Sequence, residues 1–186
     1  MPEEAKPTQY ALVAYLRDRA GRFVEELRRE LYPAHAHMAA HITVLPPREL
    51  RDNVEDAVRE LRRLAERFAV FDVELAEVES FAPVTPTVFI RAARGAHHFH
   101  EMHVAFNSGM LQREELWAYV PHLTIVKMPD LAGAERALQI SRKHWSTYAG
   151  PRLAQIRELV FVREVEDGRW IDLAPLELKR SKSWGG

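Results

Sequence analysis

The sequence contains no cysteine, no long apolar run and almost no net charge. Without cysteine, disulfide scaffolds, thiolate zinc sites and cysteine nucleophiles are excluded. No apolar run approaches the ~18 residues of a membrane-spanning helix. Residues 1–7 also lack the basic start and the apolar stretch of a signal peptide. We therefore expect a cytoplasmic protein with no membrane partner.

The charges are almost balanced, with 26 basic and 27 acidic side chains among 186 residues. This balance argues against a protein that wraps duplex nucleic acid or coats an acidic membrane through its net charge. It leaves room for a local basic pocket that binds one phosphate. The length predicts one compact domain, for which two lobes are an option. We expect this domain to cover residues 1–178 and to be a monomer, and we expect residues 179–186 to form a disordered basic tail.

Hydrophobic periodicity predicts strands and helices that alternate irregularly along the chain. Because the order contains hairpins as well as crossovers, the sheet should be largely antiparallel or mixed, in an α+β fold. Asn53 can cap the second helix, and residues 166–169 are typical of a hairpin turn. The predicted strands are 10–16, 41–45, 71–78, 87–92, 120–128, 156–165 and 170–178, and the predicted helices are 22–32, 53–68, 96–111 and 131–144.

One short motif occurs twice. The tetrapeptide HITV at residues 41–44 recurs as HLTI at residues 122–125, each time in a predicted strand preceded by a helix. Alternate residues of a strand share one face. Each copy therefore projects an imidazole and a hydroxyl side by side, while its two aliphatic residues pack into the core on the other face.

The repeated residue types indicate acid–base chemistry on a phosphate. If the two copies face each other across a cleft, His41 and His122 can exchange protons near neutral pH, one as acceptor and one as donor. Thr43 and Thr124 can donate hydrogen bonds to phosphate oxygens without adding charge. A lone His-x-Thr would mean little, but two copies in matched strands favour a functional interpretation. This set of groups suits phosphodiester cleavage without a metal or any other cofactor.

With both motifs in view, the sequence resembles the two-histidine phosphoesterase superfamily, the group of 2′-5′ RNA ligases and cyclic nucleotide phosphodiesterases. Pro121 precedes the second histidine as in the family's Pro-His-x-Thr pattern, and Lys127 stands where a basic residue commonly follows. Residues 41–47 look like those of bacterial members. The resemblance covers nearly the whole chain and implies a bilobal fold. In that fold two antiparallel sheets flanked by helices are related by a pseudo-twofold axis, with a central cleft between them.

The resemblance also implies an activity. The expected reaction is hydrolysis or transesterification of a 2′,3′-cyclic phosphate, a related cyclic phosphodiester or a 2′-5′ linkage, carried by a nucleotide or an RNA terminus. One histidine would activate water or a ribose hydroxyl and the other would protonate the leaving oxygen. Thr43 and Thr124 would bind the phosphate, with Lys127 as a further candidate. The sequence leaves open which histidine is the base.

Aromatic residues are candidates for stacking on a nucleobase. Tyr119 has the strongest claim, because it lies two residues before Pro121 and so beside the strand of the second motif. Phe81 follows, in the proline-rich connection between two strands, and Tyr10 is the third candidate. Phe89 and Trp117 could also lie near the cleft.

Two alternatives remain open at this point. The chain could be a nucleotide-binding or RNA-end-binding module with little turnover, although a pure binder does not need two proton-transfer groups. It could also be a metal-dependent hydrolase. No Asp or Glu stands at a familiar metalloenzyme spacing such as His-Glu-x-x-His, and we therefore expect no metal. The histidines that raise the metal hypothesis are His35, His37, His97, His98, His100 and His103.

Overall fold

The computed structural model describes residues 7–166 and 168–180, and within this part of the chain it contains eight strands and four α-helices. The strands are β1 (Tyr10–Tyr15), β2 (His41–Arg48), β3 (Phe71–Ser80), β4 (Thr87–Ala92), β5 (His122–Lys127), β6 (Leu153–Ile156), β7 (Glu158–Glu166) and β8 (Arg169–Glu177). The helices are α1 (Arg19–Leu31), α2 (Val54–Ala65), α3 (Ala96–Phe106) and α4 (Leu131–Thr147).

All eight strands belong to one antiparallel sheet, in the order β6-β3-β4-β5-β2-β1-β7-β8. The two motif strands are central neighbours, and the pair Ile42–Leu123 joins them. Outward from this pair, each half of the sheet continues with the strand that precedes its motif strand in the chain, β1 on one side and β4 on the other. The predicted α+β class is confirmed. The prediction of two separate sheets is wrong, because β2 and β5 pair directly and make the sheet continuous.

Side-chain caps fix where three of the helices begin. At the start of α1, Asp18 accepts a hydrogen bond from the backbone N–H of Gly21. At the start of α4, Asp130 accepts one from the backbone N–H of Gly133. The predicted cap of α2 is confirmed, since Asn53 accepts from the N–H of Asp56 at 2.8 Å. Each cap satisfies a backbone donor that has no partner inside its helix.

Strand β2 is longer than predicted. It passes through Pro46 and Pro47 and ends at Arg48. The pairing of β2 with β1 is shifted in register between Leu12 and Tyr10, opposite these prolines. An irregularity of this kind accommodates residues that have no N–H to donate to the ladder, which is why two prolines do not end the strand.

Other boundaries also differ from the predictions. Helix α3 ends at Phe106, and a separate one-turn 3₁₀-helix covers Gly109–Leu111. The predicted strand 156–165 corresponds to β7, and β6, which precedes it, was not predicted. Lys179 was predicted to belong to the disordered tail. Its backbone N–H donates to the carbonyl of Phe68, and its backbone carbonyl accepts from the N–H of Val70. The rest of the predicted tail, at 181–186, and the turn residue Asp167 lie outside the described residues.

The main hydrophobic core lies on one face of the sheet. It contains the aliphatic residues of both tetrapeptides, all of them inaccessible to solvent, together with the apolar faces of the four helices. The opposite face carries a small apolar cluster on β1 and β7, formed by Ala11, Val13, Val160 and Val162. The site described below lies on this second face. Among the described residues, no helix is long and apolar enough to cross a membrane.

The position of Gly95 does not accommodate a side chain, because its φ is +87° and an added Cβ would lie 2.1 Å from the carbonyl oxygen of Asp72. Gly95→Ala should lower the free energy of unfolding by about 2–5 kcal/mol through the left-handed backbone and the clash. Gly109→Ala is the matched control, since Gly109 also has a positive φ but open space around it. It should cost only about 1 kcal/mol. Urea denaturation measures both, and equal losses would contradict this account of Gly95.

Candidate active site

The two tetrapeptides adopt the predicted alternation. In β2, His41 and Thr43 are half-buried on one face, while Ile42 and Val44 are inaccessible on the other. Residues 122–125 of β5 repeat the same pattern. The strand geometry thus directs an imidazole and a hydroxyl from each copy toward the face that lies away from the main core.

The register of the two strands brings these side chains together. The antiparallel pair at the second position of each tetrapeptide sets His41 opposite Thr124 and Thr43 opposite His122. This register sets each histidine across the strand pair from the threonine of the other copy. His41, Thr43 and His122 line cavities at this place, whereas Thr124 lines neither of them.

Both imidazole rings are oriented in the same way. The Nδ1 atom of His41 lies 2.8 Å from the carbonyl oxygen of Ala39, and that of His122 lies 2.6 Å from the carbonyl oxygen of Val120. A carbonyl oxygen only accepts, so Nδ1 carries the hydrogen in each ring. In the neutral form the Nε2 atom of each ring is then unprotonated and can take a proton.

Burial lowers the pKa of both histidines below the ordinary imidazole value. The carbonyl that each Nδ1 contacts acts in the opposite direction. For His41, the positive charges of Arg28 and of a protonated His122 lower the pKa further. Both rings are therefore mainly neutral at neutral pH in the free protein. A bound anion would raise both values, because it favours the protonated form.

A buried guanidinium supports β5 from the core side. Arg28 of α1 is only 3% exposed, and it donates to the carbonyl oxygens of Thr124 at 2.7 Å and Ile125 at 2.8 Å. It also donates to the carbonyl of Met38, in the segment that leads into β2. The carbonyls of Thr124 and Ile125 lie beyond the pair that joins β2 and β5. Arg28 supplies hydrogen-bond donors to them where the two strands no longer pair.

The equivalent carbonyls of β2 are supported by two aromatic side chains. The hydroxyl of Tyr119 donates to the carbonyl oxygen of Thr43, and Nδ1 of His103 donates to that of Val44, both at 2.8 Å. The two rings are stacked, with centroids 4.1 Å apart and planes 2° from parallel. In this way α3, which precedes the second motif in the chain, supports the strand of the first motif, while α1 supports the strand of the second.

Two cavities meet at Thr43, which lines both of them. We call them the His122-side cavity, of about 520 Å³, and the His41-side cavity, of about 650 Å³. The first is lined by apolar and aromatic side chains that include Phe81, Val84, Leu116, Trp117 and Tyr119. The second is lined by Ala11, Val13, Tyr15, His37, Val162, Arg169 and Trp170, among others. Groups attached to a phosphate between the histidines would thus have space on either side.

The structure brings two of the three predicted stacking residues to the site. Phe81 meets the ring of His122 edge to face at 4.9 Å, and Tyr119 lines the same cavity. Tyr10 is wrong. Its ring stacks on Phe161 and packs against the main core, because Tyr10, Leu12 and Ala14 share the core face of β1.

Lys127 does not reach the cleft. It is exposed at the end of β5 and lines neither cavity. The spacing from His122 does not by itself account for this, because Ile125 and Val126 are both buried and the pairing with β4 shifts in register beside them, which ends the strict alternation before Lys127.

Two aromatic residues of the His41-side cavity were not predicted. Tyr15 pairs with His41 across the strands, with ring centroids 6.3 Å apart, and Trp170 stands on β8. Alternation from Ala11 could have placed Tyr15 on the face away from the core. Its proximity to His41 depends on register, however, and Trp170 arrives through the last hairpin, so neither contact has a local sequence signal.

The histidines behind the metal hypothesis do not converge. In residues 7–166 and 168–180, no group of three or more His, Asp or Glu side chains is arranged to hold a metal ion. His103 is engaged with a backbone carbonyl and with Tyr119, His100 meets the edge of Tyr119, and the rings of His97 and His98 contact each other. Among the histidines of α3, His103 therefore has a structural role, as a donor to a backbone carbonyl of β2.

Known proteins resemble this chain in sequence and in fold. Proteins of Bacillus thuringiensis (strain Al Hakam) and Bacillus cereus (strain B4264), each named "Putative phosphoesterase", are 28% identical over 145 residues, which is 77% of this chain and 81% of theirs. Escherichia coli LigT with 3′-AMP has the same fold, with a TM-score of 0.58 at 14% identity over 94% of this chain and 99% of LigT. A protein of Thermus thermophilus gives a TM-score of 0.56 at 16% identity over 92% of this chain and 98% of its own.

The family model for the 2′-5′ RNA ligase superfamily matches residues 16–168. This range includes both tetrapeptides, the helices that support them and most of the residues that line the two cavities. The chain therefore belongs to the 2′-5′ RNA ligase superfamily.

Proposed function

We propose that this protein is a phosphoesterase that cleaves a cyclic phosphodiester, such as a 2′,3′-cyclic phosphate, or a 2′-5′ phosphodiester by paired histidine acid–base catalysis. The observation that carries the proposal is the matched pair of rings. In both, Nδ1 is hydrogen-bonded to a carbonyl two residues upstream, which leaves Nε2 as the reactive nitrogen. Names of relatives add support, since the relatives from Bacillus are called phosphoesterases.

In this mechanism one neutral ring removes a proton from water or a ribose hydroxyl as that oxygen attacks phosphorus. The other ring, protonated at Nε2, donates its proton to the oxygen that leaves. The two roles need imidazoles on opposite sides of the phosphate, as in-line displacement requires. His41 and His122 stand in different cavities that meet at Thr43, and this arrangement suits that requirement. No step of this proton transfer requires a divalent ion.

Thr43 and Thr124 would bind the non-bridging phosphate oxygens through their hydroxyls. Each stands across the strand pair from the histidine of the other copy, and no charged side chain is needed to hold the anion at this point. The substrate is expected to be a nucleotide or an RNA terminus. Structures of LigT from Escherichia coli, which shares the fold, were determined with 3′-AMP, ATP and NADP⁺.

The histidines provide the first activity test. His41→Ala and His122→Ala should each lower kcat on the best cyclic phosphate or 2′-5′ substrate by ~100-fold or more, because each removes one proton-transfer group. The double variant should be scarcely worse than either single one, since the two rings act as a unit. His144→Ala is the control, because His144 lies on α4 beside Glu30 and lines neither cavity. Near-normal turnover by His41→Ala would contradict a shared site, and nucleotide binding by the wild type without turnover would favour a binding module.

The threonines give a second prediction. Thr43→Val and Thr124→Val keep the branched shape and delete one donor each. Each change should raise the barrier by about 1–3 kcal/mol, the cost of a hydrogen bond lost to a charged group. Steady-state kinetics and thermal denaturation should be measured together. A loss of stability with unchanged kinetics would assign these residues to packing alone.

The pH dependence follows from the lowered histidine pKa values. The profile of kcat/KM reports the free enzyme, so its bell should be centred on the acid side of ~6.5, the ordinary value for imidazole. The profile of kcat reports the complex, where the negative phosphate raises both pKa values, so its bell should be centred at higher pH. EDTA should leave both profiles unchanged. Loss of activity with EDTA and recovery with zinc or manganese would indicate a metal hydrolase instead.

A further inference from the structure

An aromatic cluster joins α1 to the end of α4. The rings of Trp145 and Tyr148 are stacked, with centroids 4.9 Å apart and planes 9° from parallel. The ring of Phe23, on α1, lies 4.8 Å from that of Tyr148. None of the three residues lines the His41-side or the His122-side cavity. The cluster is therefore a packed platform that is separate from the candidate active site.

Arg152 is held on this platform by groups that leave its charge uncompensated. Its guanidinium lies 4.6 Å from the centre of the Trp145 ring and donates to the carbonyl oxygen of Trp145 at 2.8 Å. Glu77 and Glu79 line a cavity beside Arg152, but Glu79 pairs with Arg91 instead. Among the residues that the structure describes, Arg152 has no carboxylate partner. Since a guanidinium carries five N–H donors, most of those of Arg152 remain available.

Helix α1 contributes two further guanidinium groups. Arg19 and Arg22 are exposed and lie three residues apart, so that they are neighbours on the helix surface. The side chain of Arg22 donates to the backbone carbonyl of Arg17 at 3.2 Å. In residues 7–166 and 168–180, neither Arg19 nor Arg22 pairs with a carboxylate. Because Phe23 contacts the ring of Tyr148, this part of α1 lies beside the platform.

The hydroxyl of Tyr148 lies within the field of these three arginines. Burial raises the pKa of this hydroxyl, and the charges of Arg19, Arg22 and Arg152 oppose that rise. The hydroxyl stays protonated and can donate a hydrogen bond. Its contact with the carbonyl oxygen of Pro151 is 3.4 Å long, which is weak for an O–H···O bond. The hydroxyl is therefore available to a better acceptor.

The surrounding negative charge is smaller than the positive charge. Asp18 is the carboxylate that acts on the Tyr148 hydroxyl, and its Oδ1 is already engaged with the N–H of Gly21 as the cap of α1. Three guanidinium groups against this one carboxylate leave a local positive excess, although the whole chain has a net charge of −1. Guanidinium groups match the oxygens of a phosphate in geometry and in charge.

We propose that Arg19, Arg22, Arg152 and the hydroxyl of Tyr148 form a second anion site, which binds a phosphate group. The inference goes beyond the proposed function, because the site shares no residue with either cavity at the histidines. The guanidinium groups compensate the charge of the phosphate, and the hydroxyl donates to one of its oxygens. Such a phosphate can belong to a small phosphorylated molecule or to the backbone of a nucleic acid chain, which have this chemistry in common.

Titration of the full chain with inorganic phosphate tests the site, followed by NMR of the Arg152 Nε–H group and of the Tyr148 ring. Both signals should shift along one saturation curve. Arg19→Gln should weaken this binding about tenfold, because it removes one charge-assisted hydrogen bond. Arg19 has no side-chain partner in the described part of the chain, so this variant should fold normally. Arg62→Gln is the matched control, since Arg62 is an exposed arginine of α2, and it should have no effect.

Two further probes identify the source of the phosphate. Tighter binding of adenosine 5′-monophosphate than of inorganic phosphate at the same signals would identify a small phosphorylated ligand. Tighter binding of a 3′-5′-linked oligouridylate, with a steep dependence on salt concentration, would identify a backbone phosphate. The proposal is overturned if none of the three probes gives a saturable shift. It is also overturned if Arg19→Gln and Arg62→Gln weaken binding equally.

The second anion site and the phosphoesterase activity can fail separately. His41→Ala should leave the titration curves of Arg152 and Tyr148 unchanged, whatever its effect on turnover. Loss of these shifts in His41→Ala would show that they arise from binding in the cleft, and the second site would be refuted. Saturable shifts in a protein that cleaves no phosphodiester would refute the phosphoesterase proposal and leave the second site standing.

Discussion

The site depends on one backbone contact, the antiparallel pair between Ile42 and Leu123 at the centre of the sheet. These two residues hold the same position in their tetrapeptides, so the pair relates the two halves of the sheet to each other. It also sets each histidine across from the other copy's threonine. A slip of one residue in this register would turn one motif toward the core. The aliphatic residues between the polar ones prevent that slip, because they are wholly buried on the other face.

Close to the central pair, side chains replace strand pairing as hydrogen-bond donors to the backbone. A buried carbonyl without a donor would cost about 1–3 kcal/mol, and four such carbonyls lie at equivalent places in β2 and β5. Arg28 supplies the donors for β5, and Tyr119 with His103 supplies those for β2. The two halves are therefore matched in geometry but not in the chemistry of the supporting groups. A guanidinium lies beneath one motif strand and two aromatic rings beneath the other, which makes the environments of the two histidines unequal.

Much of the fold could be predicted from local sequence, because the two tetrapeptides alternate strictly between polar and aliphatic residues and the Asn53 cap has a clear signature. The candidate polar residues of the site follow from the repeat itself. What could not be predicted depends on pairing between distant segments. The continuity of the sheet, the contact of Tyr15 with His41 and the arrival of Trp170 all follow from register. The misassignment of Tyr10 has the same origin, since one residue along a strand decides between core and cleft. Nothing in the sequence indicates that His103 has a carbonyl partner, because a histidine that binds a metal and a histidine that donates to a buried carbonyl look the same in a sequence.

The central claim is that both imidazoles present an unprotonated Nε2 to one shared anion site. Nitrogen NMR of the histidine rings, recorded during a titration with inorganic phosphate at a pH of about 7.5, tests it most directly, because the ordinary imidazole pKa lies well below that pH. Single-residue variants identify the signals of His41 and His122. The account predicts that both free rings carry their hydrogen on Nδ1 and that both shift along one saturation curve as phosphate binds. A ring with its hydrogen on Nε2, or a response confined to one histidine, would contradict it.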